Sequence, residues 1–299
     1  MKSYQRAGDV AESELRAMRA IVEEELPAYL EDLATLVNVD CGSYTKAGVD
    51  RVGQWTARFL ERLGATVTVH PNDRLGDTIV GTFMGNPRGP RALLIGHLDT
   101  VFDPGTAKER PFRVSDGRAY GPGVTDMKSG LLAGLYAILA LRAAADDEDD
   151  WMPFERLVFV ANPDEEIGSP ASTPIIREAA LGSDVAFVLE CARANGDIVS
   201  SRKGTVDLRL TIRGRAAHAG VEPEKGRSAI LEAAHLTIAL QALNGRWPGV
   251  TCNVGVVKGG TRPNVVSEQA VLEVDLRSPS RTDLETAEVE IRAICAAST

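Results

Sequence analysis

Four short stretches of this 299-residue chain carry acids, and in one case a histidine, in spacings that could do chemistry. The first is Leu94-Ile95-Gly96-His97-Leu98-Asp99-Thr100. In extended chain His97 and Asp99 face the same side. A metal-bound histidine needs its other ring nitrogen held, commonly by a carboxylate such as Asp99; the plain alternative is a histidine in a turn capped by Asp99. The second is Tyr120 to Gly130, where Gly121-Pro122-Gly123 lets the backbone turn Asp126 inward. Asp126 also stands just before a helical pattern, where an aspartate is an ordinary N-cap. The third, Asn162-Pro163-Asp164-Glu165-Glu166-Ile167-Gly168-Ser169, sets three consecutive acids after an apolar run. It reads either as a solvated turn or as one glutamate binding a cation while its neighbour faces a cation-bound water. The fourth is Glu190, directly after Val185–Leu189. A carboxylate buried there without a partner would cost several kcal/mol. No glycine loop with phosphate-binding spacing is present.

Their common position favours one reading. Ala92–Ile95, Leu157–Ala161 and Val185–Leu189 are short apolar runs, the pattern of strands buried on both faces. Ligands of α/β sheets gather at the carboxyl ends of strands. His97, Asp126, Glu166 and Glu190 would meet there with three negative charges, and Glu165 would add a fourth. At ~4 Å each like pair repels by about 4 kcal/mol at an effective dielectric of 20. Such a cluster is stable only around cations. Mixed nitrogen and oxygen ligands suit zinc, with manganese or cobalt as substitutes.

The positioning elements follow from periodicity. Helices are expected over Ala11–Leu36 (restarting near Pro27), Asp50–Leu63, Ser129–Ala145 and Thr173–Ala180. Strands are expected over Ala65–His70, Thr78–Phe83 and the three apolar runs. Alternating strands and helices indicate an α/β layer architecture with a mostly parallel sheet. From Gly204 the pattern changes to one-sided strands at Val206–Ile212, Val250–Val257 and Val265–Leu276, with helices at Ser228–Leu243 and Thr282–Ala297. This β-α-β-β-α order is one strand short of a split βαβ sandwich. Domains of 1–203 and 204–299 result. Asp146–Asp150 is expected to be a solvated acidic loop.

Composition narrows the function classes. With 33 basic and 42 acidic residues the net charge is −9, which argues against nucleic-acid binding. The four cysteines include no C-x-x-C pair, and Met1–Glu25 is too charged for a signal peptide, so a cytoplasmic protein is expected. No stretch approaches the ~20 apolar residues of a membrane span; Leu131–Leu141 reads as a buried helix.

In this order the motifs resemble the M20 metallopeptidases, most closely the glutamate carboxypeptidase (carboxypeptidase G2-like) branch. The resemblance rests on Gly96–Val101, Gly121–Gly130, Asn162–Ser169, Glu190 and Gly214-Arg215-Ala216-Ala217-His218-Ala219-Gly220. It implies a catalytic domain with a mixed, mostly parallel sheet and two zinc ions, and a smaller ferredoxin-like α+β domain that forms a homodimer. His97 and Glu190 would hold one zinc and Glu166 the other, bridged by Asp126. Glu165 would be the general base, with Asp99 orienting His97. His218 would reach the partner subunit's active site, and Asn264 and Arg277 would bind substrate, Arg277 through its fork on a carboxylate. A non-proline cis bond is implied at Asp126–Met127. His70 and His235 are read as structural.

The activity so implied is hydrolysis of a peptide or N-acyl amino acid, releasing a C-terminal amino acid such as glutamate, with aminoacylase or deacylase action as the alternative. The resemblance also implies a returning segment with a further histidine ligand and final sheet strands. The sequence to Thr299 holds none, so both domains are expected to be incomplete at the C-terminus, and an inactive dimerisation remnant is the competing expectation.

Overall fold

The computed structural model describes residues 12–145 and 151–297, so the Asp146–Asp150 run and Ala11 lie outside the described residues. The chain divides into two compact units at residues 192 and 193. The first opens with α1 (Glu12–Glu24) and α2 (Leu26–Val37). Pro27 sits in the first turn of α2, where its missing N–H costs nothing. Next come α3 (Lys46–Arg62), β1 (Thr66–His70), β2 (Thr78–Met84) and β3 (Arg91–His97). Gly64 ends α3 at φ +97°, a left-handed value that favours glycine. A short α4 (Thr106–Glu109) and a small hairpin of β4 (Arg113–Ser115) and β5 (Arg118–Tyr120) follow. The hairpin has three residues a side, too few to show an alternation in the sequence. Then come α5 (Ser129–Ala143), β6 (Arg156–Asn162), α6 (Thr173–Ala180) and β7 (Val185–Val188).

The sheet order is β1-β2-β6-β3-β7. It is mixed: β6, β3 and β7 run parallel, whereas β2 is antiparallel to both β1 and β6. The expected parallel arrangement therefore holds for the three strands that end in site motifs and yields at the β1–β2 hairpin. Leu33 and Leu36 of α2, Val52 and Leu60 of α3 and Leu131 and Leu135 of α5 pack on one sheet face with Phe159. On the other face Leu93, Val158 and Val160 meet Ile176 and Ala179 of α6. The stretch Val124–Ala143 has the length and apolarity of a membrane span, yet half of it is buried in this core.

The apolar run at β7 has the pattern of a strand buried on both faces, but Val185, Phe187 and Val188 are 38%, 49% and 61% exposed, which corrects that expectation. Among the described residues β7 is an edge strand paired with β3 alone. An apolar run reports what residues can bury, not what covers them.

The second unit holds β8 (Gly204–Arg213), α7 (Ala229–Gln241), β9 (Thr251–Gly259), β10 (Gln269–Ser278) and α8 (Arg281–Ala296). The sheet order is β8-β10-β9, antiparallel throughout. Along β10 Leu272, Val274 and Leu276 point into the core, while Glu273, Asp275 and Arg277 lie on the other face. Ser228 and Ser280 cap α7 and α8 by accepting from the amides of Leu231 and Asp283. β10 begins four residues later than expected because Asn264–Val266 pairs with Ala217–Ala219 instead: the Ala219 amide donates to Asn264 O (3.0 Å) and the Val266 amide to Ala217 O (2.9 Å).

Leu135 is fully buried at the centre of the larger core. Leu135→Ala is expected to cost about 2–5 kcal/mol in chemical denaturation, from lost transfer energy plus the cavity left behind.

Candidate metal centre

Parallel pairing of β6, β3 and β7 brings their carboxyl ends to one rim of the sheet. His97 closes β3 opposite Asn162 of β6, and the Leu189 amide donates to Ile95 O (2.8 Å), which carries Glu190 to the same place. Asp126 arrives from the side, on a five-residue turn between Gly123 and α5. The Asp126–Met127 bond is cis. The buried Met127 sulfur accepts from the His97 amide at 3.2 Å. Asp126 makes no capping bond to α5, so the N-cap reading is set aside. Gly130 is needed here, because a Cβ on it would stand 1.8 Å from Leu189 O.

The side chains converge on one nitrogen. His97 is 1% exposed, and its Nε2 lies 3.0 Å from Asp126 Oδ1, 3.4 Å from Glu190 Oε1 and 3.9 Å from Glu165 Oε2. Its Nδ1 lies 3.0 Å from the Asp99 backbone oxygen and 3.3 Å from Asp99 Oδ1. A proton on Nδ1 donates to Asp99, so that Nε2, once it gives up its own proton, aims a lone pair into the space among the carboxylates, as a metal ligand requires. Ligand atoms of His97, Asp126 and Glu166 lie within 4.8 Å of one another, as do those of His97, Glu165 and Glu190. All five side chains expected at a metal site thus belong to one cluster, and Asp99 lies directly behind it.

Two acids of the motifs serve the scaffold. Asp164 is fully buried and accepts from the Ala171 amide (2.6 Å), the Ser172 amide and the Ser172 hydroxyl, which folds the loop after Glu166 back on itself. The buried Asp99 carboxylate accepts from the amides of Glu165 and Glu166, each at 3.2 Å, and from the Ser43 hydroxyl at 2.6 Å. Sequence reasoning missed Ser43, which stands in an unremarkable loop 54 positions before His97.

The electrostatics describe a site short of positive charge. Burial pushes the His97 pKa down, but hydrogen bonds and charge from Asp99 and Glu190 outweigh it and raise it to about 11. Burial and the Asp126 charge push Glu166 up to about 7. Burial raises Glu165 as well, against the opposing pull of His97. Protons do here what a divalent cation would do better. One imidazole nitrogen among several carboxylates matches the borderline ligand preference of zinc.

Three expected residues lie in the second unit. His218 and Asn264 are brought together on the paired segments Ala217–Ala219 and Asn264–Val266, with the Gly220 amide donating to His218 Nδ1 at 3.2 Å. Arg277 is not brought to them. It lies at the opposite end of β10, on the order of 26 Å of strand beyond Gln269, with its guanidinium on the Asp275 carboxylate at 2.9–3.1 Å. His70 and His235, on β1 and α7, join no metal-ligand group among the described residues.

The chain is similar to known proteins in both sequence and fold. Residues 200–298 match the M20 peptidase dimerisation domain. The chain is 32% identical to carboxypeptidase G2 of Pseudomonas sp. (strain RS-16) over 267 residues, 88% of this chain and 63% of that protein. By sequence and fold the chain is an M20 relative. It is also 30% identical to acetylornithine deacetylase of Myxococcus xanthus, covering 82% of this chain and 65% of that one. It thus spans slightly under two thirds of these relatives. The fold matches that of aminopeptidase PepT from Bacillus cereus (TM-score 0.72, 24% identity, 93% of this chain and 71% of that one). It also matches an M20 family metallo-carboxypeptidase from Sulfolobus solfataricus (TM-score 0.67, 16% identity, 88% and 75%).

The raised pKa values fix the sign of a proton linkage. Without metal at pH 7, His97 is protonated and Glu166 is about half protonated, and both must lose their protons to ligate. Zinc binding is expected to release between one and two protons per chain and to tighten as pH rises through 7. Calorimetry in buffers of different ionisation enthalpy reads the proton count; zero release would contradict this electrostatic account.

Proposed function

We propose that the first unit binds two divalent cations, zinc by its donor set, and hydrolyses the amide bond of a peptide or N-acyl amino acid, releasing a C-terminal amino acid such as glutamate. The observation that carries this reading is the convergence of the Asp126, Glu165 and Glu190 carboxylates on Nε2 of His97. His97 and Glu190 would hold one ion and Glu166 the other, with Asp126 between them. Two bound ions would polarise the scissile carbonyl and lower the pKa of an attacking water. Glu165 would move the proton. Its carboxyl is about half exposed and its pKa lies above the ordinary value, which suits taking a proton from water and returning it to the departing amine. Deacylation of an N-acyl amino acid is the second reading, favoured by the likeness to acetylornithine deacetylase.

We also propose that the second unit pairs with a second copy of itself. Among the described residues β9 is an edge strand, and α7, which packs mainly on β9 and β10, exposes Leu231 (59%) and Ile238 (70%) with Ala234 and His235 between them, one stripe at helical spacing. Antiparallel pairing of two β9 edges about a two-fold axis would bring Arg277 of one chain, opposite Thr251, to the sheet end that carries the partner subunit's His218. Such a pairing gives a reason for the distance between these residues within one chain. A cytoplasmic setting is part of the proposal, the four cysteines being free thiols.

Two measurements test this. With N-acyl-glutamate and N-acetyl amino acid substrates plus zinc, metal-dependent release of amino acid is expected, and Glu165→Gln should lower kcat at least ~100-fold with metal content unchanged. No turnover by the wild type would favour the remnant reading. In the second unit, Ile238→Asp is expected to convert dimers to monomers in sedimentation experiments.

A further inference from the structure

We propose that Ser43 is a positioning residue of the metal centre, its hydroxyl setting the plane of the Asp99 carboxylate and, through it, the stations of Glu165 and Glu166. The proposal rests on the metal-centre reading of the first unit. Asp99 is fully buried, and its two oxygens serve different groups. Oδ1 accepts from the Glu165 amide (3.2 Å) and lies 3.3 Å from His97 Nδ1. Oδ2 accepts from the Glu166 amide (3.2 Å) and from Ser43 Oγ, whose 2.6 Å bond is the shortest of the four. One carboxylate therefore sets the ring of a metal ligand and the backbones of two functional glutamates.

A carboxylate's χ2 well is broad, so its plane must be held from outside. Ser43 is the only one of the four partners outside the strand-end motifs. It lies in the loop between α2 and α3, is 5% exposed, and is flanked by chain tied to the same rim. The Thr100 amide donates to Cys41 O (3.0 Å), and Gly42 bridges to Thr100. The buried Lys128 ammonium donates to Val39 O at 3.3 Å. The hydroxyl is thus presented from a braced backbone. Without it, Oδ2 keeps one longer bond and a desolvated lone pair, and the plane is free to turn. His97 would keep its bond to the Asp99 backbone oxygen (3.0 Å). The disturbance should therefore fall mainly on the Glu165–Glu166 turn and the ion that Glu166 holds.

The test is titration of the metal-free protein with cobalt(II), following the visible d–d bands, and competition for zinc against a chelating indicator. Ser43→Ala is expected to weaken binding ~10-fold or more, as loss of a group behind a metal ligand typically does, and to alter the cobalt spectrum. Ser43→Thr, which keeps the hydroxyl, should restore both. Tyr136→Phe is the control for a lost buried hydroxyl, since Tyr136 donates to Asp32 (2.8 Å) between helices, and it should bind metal normally. Wild-type affinity and spectrum in Ser43→Ala would overturn the proposal, as would equal weakening in Tyr136→Phe. If Ser43→Ala does not fold, Ser43→Cys replaces it: metal binding that is normal in Thr and impaired in Cys supports the proposal, and equal behaviour of the two overturns it. Wild-type protein that takes up no cobalt overturns the metal-centre reading itself, and the role of Ser43 with it.

Discussion

The structure turns on the repulsion among carboxylates gathered around His97. Asp126, Glu165, Glu166 and Glu190 come from three separate segments and approach one another closely enough that protons stay on groups that would ordinarily have lost them. No chain assembles such a cluster for stability alone, because each like pair costs free energy that packing must offset. The cost becomes intelligible once a cation occupies the middle. The fold around it can be understood as the apparatus that keeps these acids from moving apart. Parallel strands send β3, β6 and β7 to one rim, and α5 abuts the backbone just before Glu190 so tightly that Gly130 has no room for a side chain.

Asp99 shows how the apparatus is economised. A fully buried carboxylate is costly when left unpaired, and this one is satisfied by two amides, a hydroxyl and an imidazole. Its neighbour Asp164 does similar work one step further out, holding the far end of the acidic loop. The site is thus built in two layers: carboxylates that face inward and carboxylates that hold them there. Only the inward group can exchange protons for metal.

Much of this was legible in the residues. The site-bearing strands were marked by short apolar runs, and an acid just past such a run has few explanations other than a cation. His97, Asp126, Glu166 and Glu190 were therefore readable as a group, although each alone had a plausible structural role. Other features left no local trace. Ser43 belongs to the site through one hydrogen bond across 56 positions, and no periodicity reports that. The exposure of β7 was hidden because Val185-Ala186-Phe187-Val188 spells a buried strand whether or not anything covers it. The role expected of Arg277 comes from the family resemblance alone, and only the register of β10 reveals how far it lies from His218 and Asn264. The segment Asn264–Val266 looked like the start of a strand because its composition suits extended chain, and it is extended, but against a different neighbour.

Glu165 and Glu166 would have separate duties in the proposed reaction, yet their backbones hang from the two oxygens of one acid. Neither can be translated without dragging the other, so under the proposed roles base placement and ion placement would be inherited as a single trait. Retuning one function independently, in a laboratory or over generations, has to work through side-chain length or charge at the tip, because the hinge beneath is shared.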